Sequence, residues 1–257
     1  MVKAKKTKPL LKGFKKFELH KALFILPNAF TLGSIFFGLY AILNTINNNT
    51  PQTLYASCMA VFFAGICDMF DGRVARLTKT QSDFGVEFDS LADVISFGVA
   101  PSVIMYKWAL FSLNGWGIFY ATIFAACGAI RLARFNVLSR REESDNNFFV
   151  GLPIPIAASM LIALVVAHFH LRQGIELSSM PIIALMIILS WLMISNVNFW
   201  TFKNVKFGSK SVYALLLVFI LLFFIGKKYH ISLAFLIIIS VYISAGLTKQ
   251  IIKLVKN

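Results

Sequence analysis

Eight long apolar runs divide this chain almost from end to end, and nothing else in it limits the possible folds so strongly. They lie near residues 29–47, 54–78, 84–108, 115–137, 153–171, 178–197, 211–226 and 230–249. A helix needs about 20 apolar residues to cross the hydrocarbon core of a bilayer. The seventh run is short, and the second and third overrun the core at one end. Of the 257 residues, 58% are apolar and 14% are charged, where a soluble domain carries about 25% charged residues. Disorder requires the opposite balance. A transmembrane barrel would alternate apolar and polar residues over segments of about ten, whereas these runs are continuous. The expected fold is an all-α polytopic membrane protein with about eight transmembrane helices.

The charges orient those helices. The net charge is +14, which in a soluble protein would suggest nucleic acid. With eight spans and both ends inside, the inner segments hold Lys3 to Lys21, Arg73, Arg76, Lys79, Arg131, Arg134, Arg140, Arg141, Lys203, Lys206, Lys210 and Lys249 to Lys256. The outer segments keep Lys107, Arg172, Lys227 and Lys228. This is the positive-inside bias, and anionic headgroups at the inner face account for the basic balance without nucleic acid. Both termini are therefore expected in the cytoplasm. Residues 15–26 mix Phe17, Leu19, Leu23, Phe24 and Leu26 with Lys16, Glu18, His20 and Lys21, a pattern that suits an amphipathic helix lying in the interface. Cys58, Cys67 and Cys127 lie in apolar runs and read as small packing residues. No signal peptide is evident, since no short apolar run with a small-residue cleavage site follows the basic N-terminus.

Acidic residues are scarce and unevenly placed. Of 11 in the chain, Asp68, Asp71, Asp83, Glu87, Asp89 and Asp93 fall within one hairpin. Asp68 and Asp71 end the second run and Asp89 and Asp93 begin the third, all on the expected inner side. Separations of three and four put each pair on one helix face, and Gly85 extends the second row one turn back. A charged side chain deep in a bilayer costs about 2.5–3.5 kcal/mol on insertion scales, so four mutually repelling carboxylates need compensation. Divalent cations supply it, and carboxylate oxygens suit Mg²⁺, Mn²⁺ or Ca²⁺. Gly72, Ala75 and Gly85 leave room for close approach of a ligand, and Arg76 offers a fork to a phosphate oxygen. The constellation reads as a diphosphate site with displacement at phosphorus.

The string Asp68-x2-Asp71-Gly72-x2-Ala75-Arg76-x8-Gly85-x3-Asp89-x3-Asp93 resembles the signature of the CDP-alcohol phosphotransferases without a departure. The resemblance implies an integral membrane enzyme that moves a phosphatidyl or similar group from a CDP-linked donor to an alcohol, releases CMP and uses two divalent cations. It implies metal ligation by Asp68, Asp71, Asp89 and Asp93, with Asp93 also the catalytic general base. It places the CDP of the donor against Asp68, Gly72, Ala75, Arg76 and Gly85, and it suggests a homodimer. By this reading the chain divides into a basic tail and interfacial helix (1–28), a six-helix core (29–197) and two additional C-terminal helices (198–257).

Further pieces resemble the serine-accepting branch of that family, the phosphatidylserine synthases. They are the segments 26–31 (LPNAFT), 88–101 (FDSLADVISFGVAP), 131–136 (RLARFN) and 149–155 (FVGLPIP). Eight spans, where six are common in the family, also suit that branch. Asn28 and Thr31 open the first run from the inner side and are candidates for the CDP-diacylglycerol site, although Asn28 also fits a plain helix cap after Pro27. Arg131 and Arg134, three apart, suit the carboxylate of L-serine, or anchor the span in the interface. Ser90 and Ser96 are candidates for orienting the substrate amine, or for bonding back to helix carbonyls. The resulting expectation is transfer of the phosphatidyl group of CDP-diacylglycerol to the serine hydroxyl in a single displacement. Two alternatives remain at this stage: a synthase of the same family using a phosphorylated alcohol, such as phosphatidylglycerophosphate synthase, and a cation transporter.

Overall fold

The structure is a computed structural model and describes residues 11–48, 50–140, 148–171, 178–200 and 231–256. Helix α1 (Leu11–Asn47) runs without interruption through Pro27, so Asn28 caps nothing, and residues 15–26 continue into the first apolar run as one helix. A short turn leads to α2 (Pro51–Thr78), which opens with a reciprocal Thr50–Thr53 capping box and Pro51 in its first turn. This pairing satisfies amides that the start of a helix leaves open. At its other end Lys79 takes φ 55° and donates its amide to the Ala75 and Arg76 carbonyls. The chain thereby turns tightly into α3 (Asp83–Asp93), whose N-cap Ser82 accepts from the Gly85 amide at 3.1 Å.

The third apolar run stays helical from Asp83 to Leu113 but is not uniform. After α3 it widens into a π-helical turn at Val94–Val99, returns to α geometry in α4 (Ala100–Met105), and widens again at Tyr106–Leu110. Helix α5 (Gly115–Arg140) follows a tight turn at Asn114. Beyond it come strand β1 (Phe148–Val150), α6 (Ile154–Leu171), α7 (Ser179–Ile194), strand β2 (Asn198–Trp200) and α8 (Ile231–Lys256).

Among the described residues, five helical stretches are long and apolar enough to cross a membrane: Ile25–Asn47, Pro51–Thr78, Asp83–Leu113, Gly115–Arg140 and Ser232–Gln250. The fifth and sixth apolar runs form the shorter apolar helices Ile154–His170 and Ser179–Ile194. The seventh run, 211–226, lies outside the described residues. The helices share a core in which Phe124, Ile104, Met105, Leu161, Met186 and Leu192 are fully buried. Leu32, Phe36, Leu43, Phe62, Trp116 and Ile130 face outward, as apolar side chains do when lipid is the solvent. The protein is a multi-pass helical membrane protein.

One end of the bundle gathers the segments that matter most. Thr31 of α1 bonds to Asp71 of α2 at 2.9 Å. Asn136 of α5 bonds to Ser90 of α3 at 2.9 Å, and Arg140 pairs with Glu87. At the same end β1 and β2 form an antiparallel pair that matches Phe148 with Trp200, Phe149 with Phe199 and Val150 with Asn198. Gly151 closes this end. Its φ is +78°, its amide donates to the Val197 carbonyl at 2.9 Å, and a Cβ there would sit 2.3 Å from the Met193 carbonyl oxygen. Only glycine meets both conditions without strain.

Candidate active site

The hairpin of α2 and α3 brings the acidic residues together as their spacing requires. Asp68, Asp71 and Asp89 each offer a carboxylate oxygen, and these atoms all lie within 4.8 Å of one another. Asp93, one turn further along α3, lies within hydrogen-bonding reach of Asp68 and close to Asp89. Asp71 and Asp93 are buried. Asp89 Oδ1 and Asp93 Oδ1 are buried without a hydrogen-bond partner among the described residues. An orphaned buried carboxylate oxygen is costly unless something positive meets it. Four carboxylates with no nitrogen or sulfur donor among them make a hard, all-oxygen set, which fits Mg²⁺, Mn²⁺ or Ca²⁺.

Thr31 ties α1 into this group. Its hydroxyl donates to Asp71 Oδ2 at 2.9 Å and lies 3.3 Å from the Pro27 carbonyl. A hydrogen bond to one oxygen fixes the direction in which the other points.

Beside the carboxylates opens a cleft of about 380 Å³. Asn28, Thr31, Asp71, Gly72, Ala75, Arg76, Gly85 and Asp89 all line it. The structure thus brings together the residues expected to hold the donor nucleotide, with the exception of Asp68, which belongs to the carboxylate group. A Cβ on Gly72 would meet nothing within 4 Å, so the space above it is open to a ligand. At Gly85 the neighbours are Ser82 Oγ at 3.2 Å and Asn28 Oδ1 at 4.0 Å, and a side chain there would narrow the cleft between α1 and α3.

Sequence reasoning missed the rest of the wall. Pro27, Thr80, Gln81, Ser82, Asp83 and Val86 also line the cleft, three of them (Thr80, Gln81 and Ser82) on the connection from α2 to α3. One signal was available: Ser82 three residues before Gly85 is the spacing of an N-cap hydroxyl with a third-position amide.

The four residues proposed for the acceptor are placed differently from one another. Arg131 of α5 is 6% exposed and lies near Asp93. Its guanidinium carbon is 5.2 Å from the Phe135 ring centre and 6.0 Å from that of Phe149, and its Nε has no hydrogen-bond partner among the described residues. Arg134 is occupied with the end of α7. It donates to the carbonyls of Ile194 at 3.0 Å and Ser195 at 3.4 Å, and to the Asn196 side chain. Ser90 donates to the Val86 carbonyl at 3.1 Å and accepts from Asn136. Ser96 is fully buried. It donates to the Ser34 carbonyl at 2.9 Å and accepts from the Ser34 hydroxyl at 3.1 Å. This contact pins the π-helical turn to α1 at Gly38, where a Cβ would sit 2.6 Å from Ser96 Oγ.

Fold and site together define a multi-pass membrane protein with a cleft beside a cluster of carboxylates at one end of its helices. Residues 24–201 match the CDP-alcohol phosphatidyltransferase family, and the chain belongs to it. Among curated relatives, the CDP-diacylglycerol--serine O-phosphatidyltransferase of Helicobacter pylori (strain 26695) is 36% identical over 236 residues, covering 91% of this chain and 94% of that protein. The protein of the same name from Bacillus subtilis is 34% identical over 179 residues, covering 70% of this chain and 92% of its own. That from Methanocaldococcus jannaschii is 38% identical over 151 residues, covering 59% and 67%.

Proposed function

We propose that this protein transfers the phosphatidyl group of CDP-diacylglycerol to the hydroxyl of L-serine, giving phosphatidylserine and CMP. The observation that carries this reading is the convergence of Asp68, Asp71 and Asp89 within 4.8 Å beside the cleft. The likeness, along nearly the whole chain, to a relative named CDP-diacylglycerol--serine O-phosphatidyltransferase supports serine as the acceptor.

Asp68, Asp71, Asp89 and Asp93 would hold two divalent cations, Mg²⁺ or Mn²⁺, with Ca²⁺ able to occupy the same oxygens. Bound there, the cations neutralise the diphosphate and the charge that develops on it. The protein's own groups do the remaining work. Thr31 fixes Asp71, and the backbone of Gly72, Ala75 and Gly85 admits the donor's diphosphate and nucleoside, with Asn28 on the α1 side. Arg76 places a cation on a phosphate oxygen. Asp93 takes the proton from the serine hydroxyl as its oxygen attacks the phosphorus that carries diacylglycerol, and CMP departs from the opposite side. Of the two arginines, Arg131 is assigned to the serine carboxylate and Arg134 to holding α7 in place. Ser90 stands at the rim of the acceptor side.

The remaining architecture follows the charge pattern. Eight spans leave both termini and the cleft on the cytoplasmic side, with the basic stretch 15–26 in the inner interface. The core is the six-helix unit 29–197, and the segment 198–257 adds two helices. The acyl chains of the donor stay among membrane lipids while its head meets water-soluble serine, and the protein acts as a homodimer.

The test is CMP release from CDP-diacylglycerol by the purified protein with Mn²⁺ or Mg²⁺, offering L-serine, glycerol 3-phosphate or inositol 1-phosphate in turn. Release with serine alone is expected. Release only with a phosphorylated alcohol would overturn the acceptor and the Arg131 assignment. Asp93→Asn is expected to abolish turnover while keeping CDP-diacylglycerol binding, and near-normal turnover would refute the base.

A further inference from the structure

The family match ends at residue 201, but the helix beyond it packs on the strand pair that flanks a buried cation. Arg131 is more than nine-tenths buried, with Nε unpartnered among the described residues. Phe149 of β1, one of the two rings beside its guanidinium, is paired in register with Phe199 of β2. Phe199 is fully buried and stacks on Tyr242 of α8, with ring centres 5.8 Å apart and planes 25° apart. One helical turn on, Gly246 lies so close to Phe199 that a Cβ would sit 2.6 Å from its ring. Tyr242 and Arg131 are near enough to act on each other electrostatically. A chain of aromatic contacts therefore runs from Arg131 of α5 through Phe149 of β1 and Phe199 of β2 to Tyr242 of α8, and Asp93 is the carboxylate that Arg131 adjoins.

We propose that α8 forms a wall of the acceptor site, with Tyr242, seated on Phe199, as a positioning residue that holds Arg131 toward Asp93 and the acceptor. The inference rests on the phosphatidylserine synthase reading and gives the C-terminal helix a part in it. A guanidinium has five donors in a fixed plane. Ring faces support that plane but accept little in it, so a phenol brought close by another helix sets the plane's direction. A substrate carboxylate then meets donors already aimed, without the cost of ordering them on binding.

The experiment uses the full-length protein, with serine and CDP-diacylglycerol varied independently in the CMP-release assay. Tyr242→Phe keeps the stack on Phe199 and removes the hydroxyl. The expected result is a serine KM raised about three- to tenfold, with kcat at saturating serine and the KM for CDP-diacylglycerol within about twofold of the parent. An unchanged serine KM, or an equal loss in all three constants, would overturn the proposal. Gly246→Ala, which pushes on Phe199 and leaves the phenol in place, is expected to raise the serine KM as well. Should Tyr242→Phe lose the thermal shift given by CDP-diacylglycerol, a normal serine KM in folded Gly246→Ala overturns the proposal instead. A parent protein that uses glycerol 3-phosphate and not serine would sink the serine reading alone. The two variants would then be judged by the same split on that acceptor's KM.

Discussion

At the scale of single residues, the site depends on what is small as much as on what is charged. Gly72 faces open space in the cleft, so a side chain there meets ligand before it meets protein. Gly72→Leu is expected to raise the KM for CDP-diacylglycerol by about tenfold or more, since every 1.4 kcal/mol lost is a factor of ten. The thermal midpoint should stay near that of the parent, and a midpoint that fell with no change in KM would show the position to be packing. Thr31→Val keeps the shape and removes the donor to Asp71. A hydrogen bond to a charged group contributes about 1.5–3 kcal/mol, so kcat/KM is expected to fall about tenfold to a hundredfold in the CMP-release assay. The carboxylate spacing was readable from sequence because helices impose it: residues three and four apart share a face whatever surrounds them. The occupation of Arg134 by the end of α7 was not, because its partners are 60 to 62 positions away and two of them are backbone carbonyls.

At the scale of elements, the ends and joints of the helices decide the site more than their middles. Gly151→Ala would force a left-handed backbone on alanine and drive its Cβ toward the Met193 carbonyl. Strain of this kind costs about 1–3 kcal/mol, so a lower thermal midpoint in detergent is expected, with the KM for CDP-diacylglycerol little changed. Arg134→Ala is expected to lower the midpoint also, by freeing the last carbonyls of α7, and to leave the serine KM within about twofold. A serine KM that rose with no loss of stability would return Arg134 to the acceptor. Helix positions were legible because an apolar run of bilayer length has few other fates. The joints were less so. Hydropathy does not distinguish α from π geometry, and the widened turn Val94–Val99 depends on the Ser34–Ser96 contact and the close approach at Gly38. The pairing of 148–150 with 198–200 was equally hidden, since three-residue strands carry no periodicity. Pro27 marked a helix start by rule, yet α1 passes through it.

At the scale of the whole molecule, the carboxylates and the cleft share one end of an otherwise apolar bundle. A site that relies on oxygen-bound divalent cations should lose activity to a chelator and regain it on addition of Mn²⁺ or Mg²⁺. Because a ligand that binds only the folded state stabilises it, the thermal midpoint is also expected to fall with chelation. Activity that survived exhaustive chelation would remove the cations from the proposal. The end that carries the carboxylates also decides the order in which the molecule is made. Chains emerge N-terminus first at about 5–20 residues per second. Asp68 to Asp93 therefore leave the ribosome seconds before Arg131, and α8 comes last of the described elements. During that interval the acidic hairpin must settle beside the membrane without its buried counter-charge, and the donor cleft takes shape before the acceptor side. By the proposed reading, the side that holds the nucleotide-linked lipid is therefore assembled before the side that positions the acceptor.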